Sequence, residues 1–164
     1  MKMSILIKEL STLEIEFLRI ADYKYEGQHL EVFLEPKQLL SVVQFLKERQ
    51  FILEDITAID LTPRMQTVYH FAAIKHGWRI TLRIWIDRET PAVPSLSKLI
   101  PGANWHERET KDFFGINFLG HPYLSPLLLP DEFSHPLLKK AEEIKAESEI
   151  WPVRFCNEVR NDRT

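Results

Sequence analysis

Between Trp78 and Ile86 apolar and polar residues alternate. Ile80, Leu82, Ile84 and Ile86 fall on one side of an extended chain, and Arg79, Thr81, Arg83 and Trp85 on the other. A period of two is the pattern of a half-buried strand, and a helix would scatter these apolar groups around its axis. One dry face demands neighbouring strands and a covering layer. The stretch from Thr67 to Ile74 supplies a neighbour, joined across Lys75-His76-Gly77 as a hairpin. The wet face, carrying two arginines and a tryptophan, is either solvated or an interface, because Arg and Trp are enriched where proteins meet.

The rest of the chain fits around that hairpin. His29 to Leu34 alternates with Leu30, Val32 and Leu34 on one face. Phe51 to Asp60 reads as another strand, with Ile52, Ile56 and Ala58 among its apolar positions. Leu61-Thr62-Pro63 closes it, since proline cannot donate to a ladder. Pro36 to Gln50 is a helix: proline suits a first helical position, and Leu39, Val42, Val43 and Leu46 follow helical spacing. Residues 4–20 read as helix and Tyr23 to Gly27 as a turn. Arg88 to Pro94 is a loop, Ser95 to Ile100 a serine-capped helical turn, and Pro101-Gly102 a break. This order predicts an α+β domain over residues 1–122, a small mixed β-sheet with flanking helices. Residues 123–164 form an extended arm and tail. Prolines at 122, 126, 130 and 136 exclude a long helix or a central strand there. Leu124, Leu127, Leu128 and Leu129 remain apolar, so the arm should lie on a surface, its own or a partner's. Leu137 to Ile150 reads as a charged helix and Trp151 to Thr164 as a tail.

Composition narrows the function classes. A chain of 164 residues with 45% hydrophobic content can bury one real core. Its net charge of -3 argues against non-specific nucleic-acid binding. No apolar run approaches the roughly twenty residues of a membrane span, and MKMSILIKEL is too quickly charged for a signal peptide. A cytoplasmic placement is expected, with any membrane contact made through partners. The single cysteine, Cys156, excludes a disulfide framework within the chain and any all-Cys zinc or iron–sulfur site. The chain has no GxGxxG, no P-loop and no His pair at helical metal-ligand spacing.

Charge concentrates between Trp105 and Pro122, in the stretch WHERETKDFFGINFLGHP. A helix over residues 105–114 is expected there, with Asn104 as N-cap, Glu107 closing a capping box and Gly115 ending it. On such a helix Arg108 stands four residues from Asp112, and Glu107 four from Lys111, so both can pair. The competing use is chemical, with His106 and Glu107 as acid and base and Asp112 nearby. His121, beside Pro122, suits fixing a turn or bonding a backbone carbonyl better than binding metal.

Glu107-Arg108-Glu109, Asp112-Phe113-Phe114, Gly115-Ile116 and Gly120-His121-Pro122 stand at the offsets of a known signature. The stretch resembles that of the thirty-kilodalton subunit family of respiratory complex I and its hydrogenase relatives. The likeness extends to Val42-Val43-Gln44-Phe45-Leu46, to Leu53-Glu54-Asp55-Ile56-Thr57-Ala58-Ile59-Asp60, and to the Val93-Pro94-Ser95 and Pro101-Gly102-Ala103-Asn104-Trp105 approach. In the arm it continues through Leu129-Pro130 and His135-Pro136-Leu137. The departures also lie there. Ser125-Pro126-Leu127-Leu128 stands where the quinone-linked branch carries Arg-Arg-Ile-Leu, and Pro136-Leu137-Leu138-Lys139-Lys140 where that branch ends in Pro-Leu-Arg-Lys-Asp-Tyr. Hydrogenase-type and sulfane-sulfur-reductase-type relatives are therefore equally compatible.

The resemblance implies a non-catalytic peripheral-arm subunit of a membrane-bound, ion-translocating oxidoreductase complex, with no redox centre in this chain. Iron–sulfur clusters, and nickel-iron in the hydrogenase branch, would sit on partner subunits. The chain would dock on a hydrogenase-like large subunit beside an iron–sulfur small subunit. It would reach membrane subunits indirectly, from the cytoplasmic side of the cell membrane. Glu107, Arg108, Glu109, Asp112, Phe113, Phe114, Gly115, Gly120, His121 and Pro122 would contact the partner or lock the loop that does. The alternatives are a free-standing enzyme using His106, Glu107 and Asp112, or an adaptor unconnected with redox chemistry. Exposed apolar surface over residues 123–137 separates the docking readings from the enzyme, which would bury it.

Overall fold

The computed structural model describes residues 2–61, 63–130 and 136–138. In chain order the elements are α1 (Met3–Leu10), β1 (Phe17–Ile20), the single turn α2 (Tyr23–Glu26), β2 (Leu30–Leu34), α3 (Leu39–Glu48), β3 (Ile52–Leu61), β4 (Arg64–Ala73), β5 (Trp78–Asp87), β6 (Ala92–Pro94), α4 (Ala103–Phe114) and β7 (Asn117–Leu119). The strongly alternating strand β5 is the centre of a five-stranded sheet of order β1-β2-β5-β4-β3. Its pairing with β4 is antiparallel and with β2 parallel, placing Val32 opposite Leu82. The sheet is thus mixed and the domain α+β, as the order of elements predicts.

One face of the sheet is dry. Leu30, Val32, Leu34, Ile80, Leu82, Ile84, Ile86, Met65, Tyr69 and Phe71 are all buried on it. Helix α1 covers them through Leu6 and Leu10, and α3 through Leu39, Val42, Val43 and Leu46. Each such aliphatic side chain contributes on the order of 1.5–3 kcal/mol by leaving water. The expected proline start of the helix is a separate 3-10 turn, Pro36–Gln38, with a capping box between Glu35 and Gln38.

Four features differ from the sequence reading. Residues 4–20 are not one helix: α1 ends at Leu10, and Phe17–Ile20 pairs with β2 as an edge strand. A partner strand overrides the weak local pattern there. Tyr23 to Gly27 holds one helical turn, capped by the Asp22 side chain on the Lys24 N–H. In β3 the register slips between Leu53 and Asp55, so Glu54 is an extra residue. The bulge turns Ile52 outward while Ile56 and Ala58 stay in the core, although even spacing would put all three on one face. The loop over Arg88 to Pro94 also contains a short strand, β6, which pairs in parallel with β7. Apart from residues 136–138, the helix expected over 137–150, the tail over 151–164 and Cys156 lie outside the described residues.

The second face of the sheet is polar and internally paired. Arg19, Glu31, Thr81, His70 and Asp55 occupy one row across all five strands. Glu31 is the hub, accepting from Arg19 and Arg83 at 2.7 Å each and from Gln28 at 2.8 Å. Burial alone would raise its carboxyl, but these hydrogen bonds outweigh it and hold Glu31 below the usual carboxylate range. The two wet-face arginines are therefore engaged within the sheet, Arg79 with Glu54 at 3.4 Å and Arg83 with Glu31 and Gln66.

A second ionic contact is buried. Arg88 reaches Asp60 at 2.8 and 3.2 Å, and both residues are almost inaccessible. Asp60→Ala leaves the Arg88 charge without that carboxylate in a poorly solvated place. We expect it to lower the unfolding free energy of the purified chain by about 3–5 kcal/mol in a denaturant titration. A loss below about 1 kcal/mol, the range of an exposed pair, would contradict this reading.

Candidate functional site

Helix α4 begins earlier than its capping residues suggest. The Ala103 and Asn104 N–H groups donate to Ile100 and Pro101 carbonyls, so the turn through Pro101-Gly102 runs directly into the helix. Gly102 is the N-cap, Asn104 lies inside, and no side chain caps this end. The expected capping box is absent because the helix starts ahead of Asn104, and Glu107 is engaged elsewhere. At the other end Gly115 does terminate the helix, in the left-handed region at φ 74°. A Cβ there would also stand 2.8 Å from Pro136 Cγ, so glycine is required both by conformation and by space.

The charged side chains of α4 do not pair along the helix as their spacing allows. They turn instead to the backbone of the arm. Asp112 Oδ2 accepts the N–H groups of Leu127 and Leu128 at 2.8 Å and of Leu129 at 3.2 Å. Arg108 donates to the carbonyls of Ser125 and Pro126 at 3.0 and 2.8 Å. Lys111 Nζ donates to the Leu124 carbonyl at 2.5 Å. A chain broken by proline at 126 and 130 cannot join a ladder, yet its backbone groups still need partners. These bonds are charge-assisted, roughly twice as strong as neutral ones, and they satisfy peptide groups that no strand pairs.

Glu107 points the other way, into the interior, and is fully buried. It accepts Ser95 O–H at 2.6 Å and the Leu96 N–H at 2.5 Å, pinning the turn that follows β6. Burial pushes its carboxyl up to about 7, against the pull of those two hydrogen bonds. His121 packs beside it. Tyr123 N–H donates to His121 Nδ1 at 3.0 Å, so the proton of the neutral ring sits on Nε2. That nitrogen lies 3.4 Å from the Asn104 carbonyl and 3.9 Å from Glu107 Oε2. Burial pushes the imidazole below its ordinary value, consistent with the neutral form.

The residues of the acid–base alternative therefore diverge. His106 Nδ1 faces Asp55 at 3.2 Å, Glu107 faces Ser95 and Leu96, and Asp112 faces the arm. They share no common space in which a substrate atom could meet two of them. Phe114 packs partly against the core, while the Phe113 carbonyl accepts the Leu138 N–H at 2.8 Å. Gly120, with φ 83°, turns the chain into His121 and the exposed Pro122. Glu109 alone of the signature charges has no partner among the described residues. Of the residues that hold Glu107, Ser95 stood in the sequence as a turn cap and within the Val93-Pro94-Ser95 likeness, and Leu96 carried no signal.

The arm lies against α4 with part of its apolar surface outward. Tyr123 is 68% exposed and Leu128 59%, and Trp105 on α4 is 67% exposed. The Arg108 guanidinium stands 5.8 Å from the centre of the Tyr123 ring. A shallow cleft of about 440 Å³ runs along Leu40, Leu99, Leu119 and Gly120. Among the described residues no group of three or more His, Cys, Asp or Glu could hold a metal ion. No helix among them is long and apolar enough to cross a membrane.

Comparison with known proteins gives consistent matches. The family model for the respiratory-chain NADH dehydrogenase, 30 Kd subunit, matches residues 32–147. An NADH-quinone oxidoreductase subunit of Roseiflexus sp. (strain RS-1) is 41% identical over 127 residues, covering 70% of this chain and 73% of its own. The protein of the same name from Moorella thermoacetica is 40% identical over 120 residues, covering 70% and 81%. The solved trypsin-resistant fragment (1-134) of Nqo5 superposes with a TM-score of 0.63 at 28% identity, covering 76% of this chain and all of its own. A chain of the membrane-bound sulfane sulfur reductase, an archaeal respiratory membrane complex, shares the fold with a TM-score of 0.62 at 23% identity, covering 72% and 70%.

Two outcomes test this geometry. The Glu107 value of about 7 lies above the ordinary 4.5, so protonation favours the folded state. The contribution is complete below pH about 4.5 and is lost as pH rises through about 7. The swing is on the order of 3 kcal/mol. Glu107→Gln should abolish it, so the stability of the variant relative to the parent should change across this window in denaturant titrations. A relative stability flat with pH would refute the assignment, since the contribution of His70 is common to both chains. Asp112→Ala removes the acceptor of three N–H groups, each such bond worth about 1.5–3 kcal/mol. Limited proteolysis should then cut within residues 123–130 at least about tenfold faster, and an unchanged rate would show that Asp112 does not hold the arm.

Proposed function

The chain belongs to the respiratory-chain NADH dehydrogenase 30 Kd subunit family, and from that membership we propose a non-catalytic role as a peripheral-arm subunit of a membrane-bound, ion-translocating oxidoreductase complex, docked on its hydrogenase-like large subunit. It is a subunit of a multisubunit respiratory complex. The observation that carries the docking role is the arm. The side chains of α4 hold it in one conformation through its backbone, which leaves Tyr123 and Leu128 outward in a preset arrangement. Preorganised apolar and aromatic groups lose little entropy when a partner covers them. An independent enzyme would gain nothing by holding such groups in water.

The iron–sulfur small subunit is the second partner in this proposal, and membrane subunits are reached through the others. Redox centres belong to those partners in this proposal. The association is peripheral and on the cytoplasmic side of the cell membrane. The names of the relatives at 40–41% identity favour the quinone-linked branch over the hydrogenase and sulfur branches.

The test is a gentle detergent purification of the tagged native protein, with metal analysis and mass spectrometry of the recovered chains. We expect a hydrogenase-like large chain, an iron–sulfur chain and membrane subunits, without nickel. Nickel would move the assignment to the hydrogenase branch. A monodisperse monomer from both membranes and cytosol would overturn the assembly role.

A further inference from the structure

We infer that Glu109, with Asp55 across from it, forms a receptor for a lysine or arginine side chain presented by an apolar segment of a partner subunit. The inference rests on the docking role proposed above and names the chemistry of one contact. Of the charges in the signature helix, Glu107, Arg108, Lys111 and Asp112 are all committed to this chain's own backbone and side chains. Glu109 is half-buried and makes no such contact among the described residues. It lines a groove of about 230 Å³ between α4 and the edge strand β3, together with Asp55, Thr57, Phe113, Phe114 and Leu138.

The lining of that groove specifies its occupant. Two phenylalanines and a leucine would cover an aliphatic stem, and the two carboxylates would receive a cation at its tip. Among the described residues the basic groups facing Asp55 are His106, at 3.2 Å, and His70, its partner on β4; each is charged only when protonated, and burial holds His70 below its ordinary value. A purely apolar partner would bury Glu109 without compensation, and an acidic one would add repulsion. Residues 136–138 border the groove: the Leu138 N–H is bonded to the Phe113 carbonyl, and Pro136 packs against Gly115. Leu137 and Leu138 are both exposed there.

The experiment uses the tagged full chain expressed in place of the parent, with recovery of partner chains as the readout. Glu109→Lys should reduce recovery at least about tenfold, because two like charges then meet at a desolvated contact. Glu109→Asp should stay near the parent. Carbodiimide coupling of the parental complex, followed by peptide mass spectrometry, tests the occupant directly. A Glu109 or Asp55 link to a lysine of another chain supports the inference, and a link to Lys139 or Lys140 of the same chain overturns it. If Glu109→Lys lowers the melting temperature of the purified chain, Glu109→Gln decides. Reduced recovery of that variant supports the cation, and parental recovery overturns it. Leu128→Asp separates the two levels of the argument. If only Leu128→Asp loses partners, the docking role stands and the Glu109 contact falls; if neither variant loses them, the docking role itself falls.

Discussion

The structure depends on one exchange of hydrogen bonds, between the ionised side chains of α4 and the peptide groups of residues 124–129. A proline-spaced segment presents the protein with a problem. Its apolar side chains favour contact with the body, but contact removes water from backbone groups that have no strand to pair with. Here Asp112 supplies one acceptor to three successive N–H groups, and Arg108 and Lys111 supply donors to the carbonyls before them. The helix thereby takes the place of a sheet neighbour. Its own position is fixed from beneath, by Glu107 on the 95–96 turn and by Thr110, whose hydroxyl donates to the Ile56 carbonyl of β3. The two sides of one helix thus join the sheet domain to the arm, and the signature charges divide between them.

This division was only partly legible in the sequence. Regular spacing exposed what regular structure needs: the alternation in β5, the helical period of Leu39, Val42, Val43 and Leu46, and the glycine that ends α4. Spacing also showed that Arg108 could pair with Asp112, and Glu107 with Lys111. It could not show that peptide groups distant in sequence would compete for the same charges and prevail. The capping box failed because the turn through Pro101-Gly102 runs into the helix and leaves Asn104 inside it, while Ser95 and Leu96 hold the Glu107 carboxylate. β1 was lost because an edge strand shorter than its partners draws its stability from pairing rather than from its own residues. The outward turn of Ile52 depended on a single extra residue, Glu54, which no count of apolar positions distinguishes from regular alternation.

Ionic contacts elsewhere in the molecule follow a related logic. The polar face of the sheet is not left to water, because Glu31 gathers Arg19, Arg83 and Gln28 into one network. Asp60 and Arg88 repeat the pattern on the opposite side, at the end of β3 and just past β5. Such contacts add less net stability than apolar residues of equal volume would, but they tolerate few alternative arrangements. They fix which strand lies beside which. The signature helix then inherits a sheet edge of defined position on which to rest.

The parallel pairing of β2 with β5 has a consequence for how the chain reaches this state. β1 and β2 are close in sequence, and β3, β4 and β5 follow one another as a meander, so each group is built from local contacts. The junction between the groups sets Leu30 against Ile80 and Leu34 against Ile84, across everything that lies between them in the chain. Closing that span is where the entropy of the fold concentrates, and no tight turn can assist a parallel pair. The central strand with the clearest sequence pattern is therefore also the seam between two locally formed halves, one of which carries α4 and the arm. Loosening that seam would release β1 and β2 together while leaving the signature helix on its edge of the sheet.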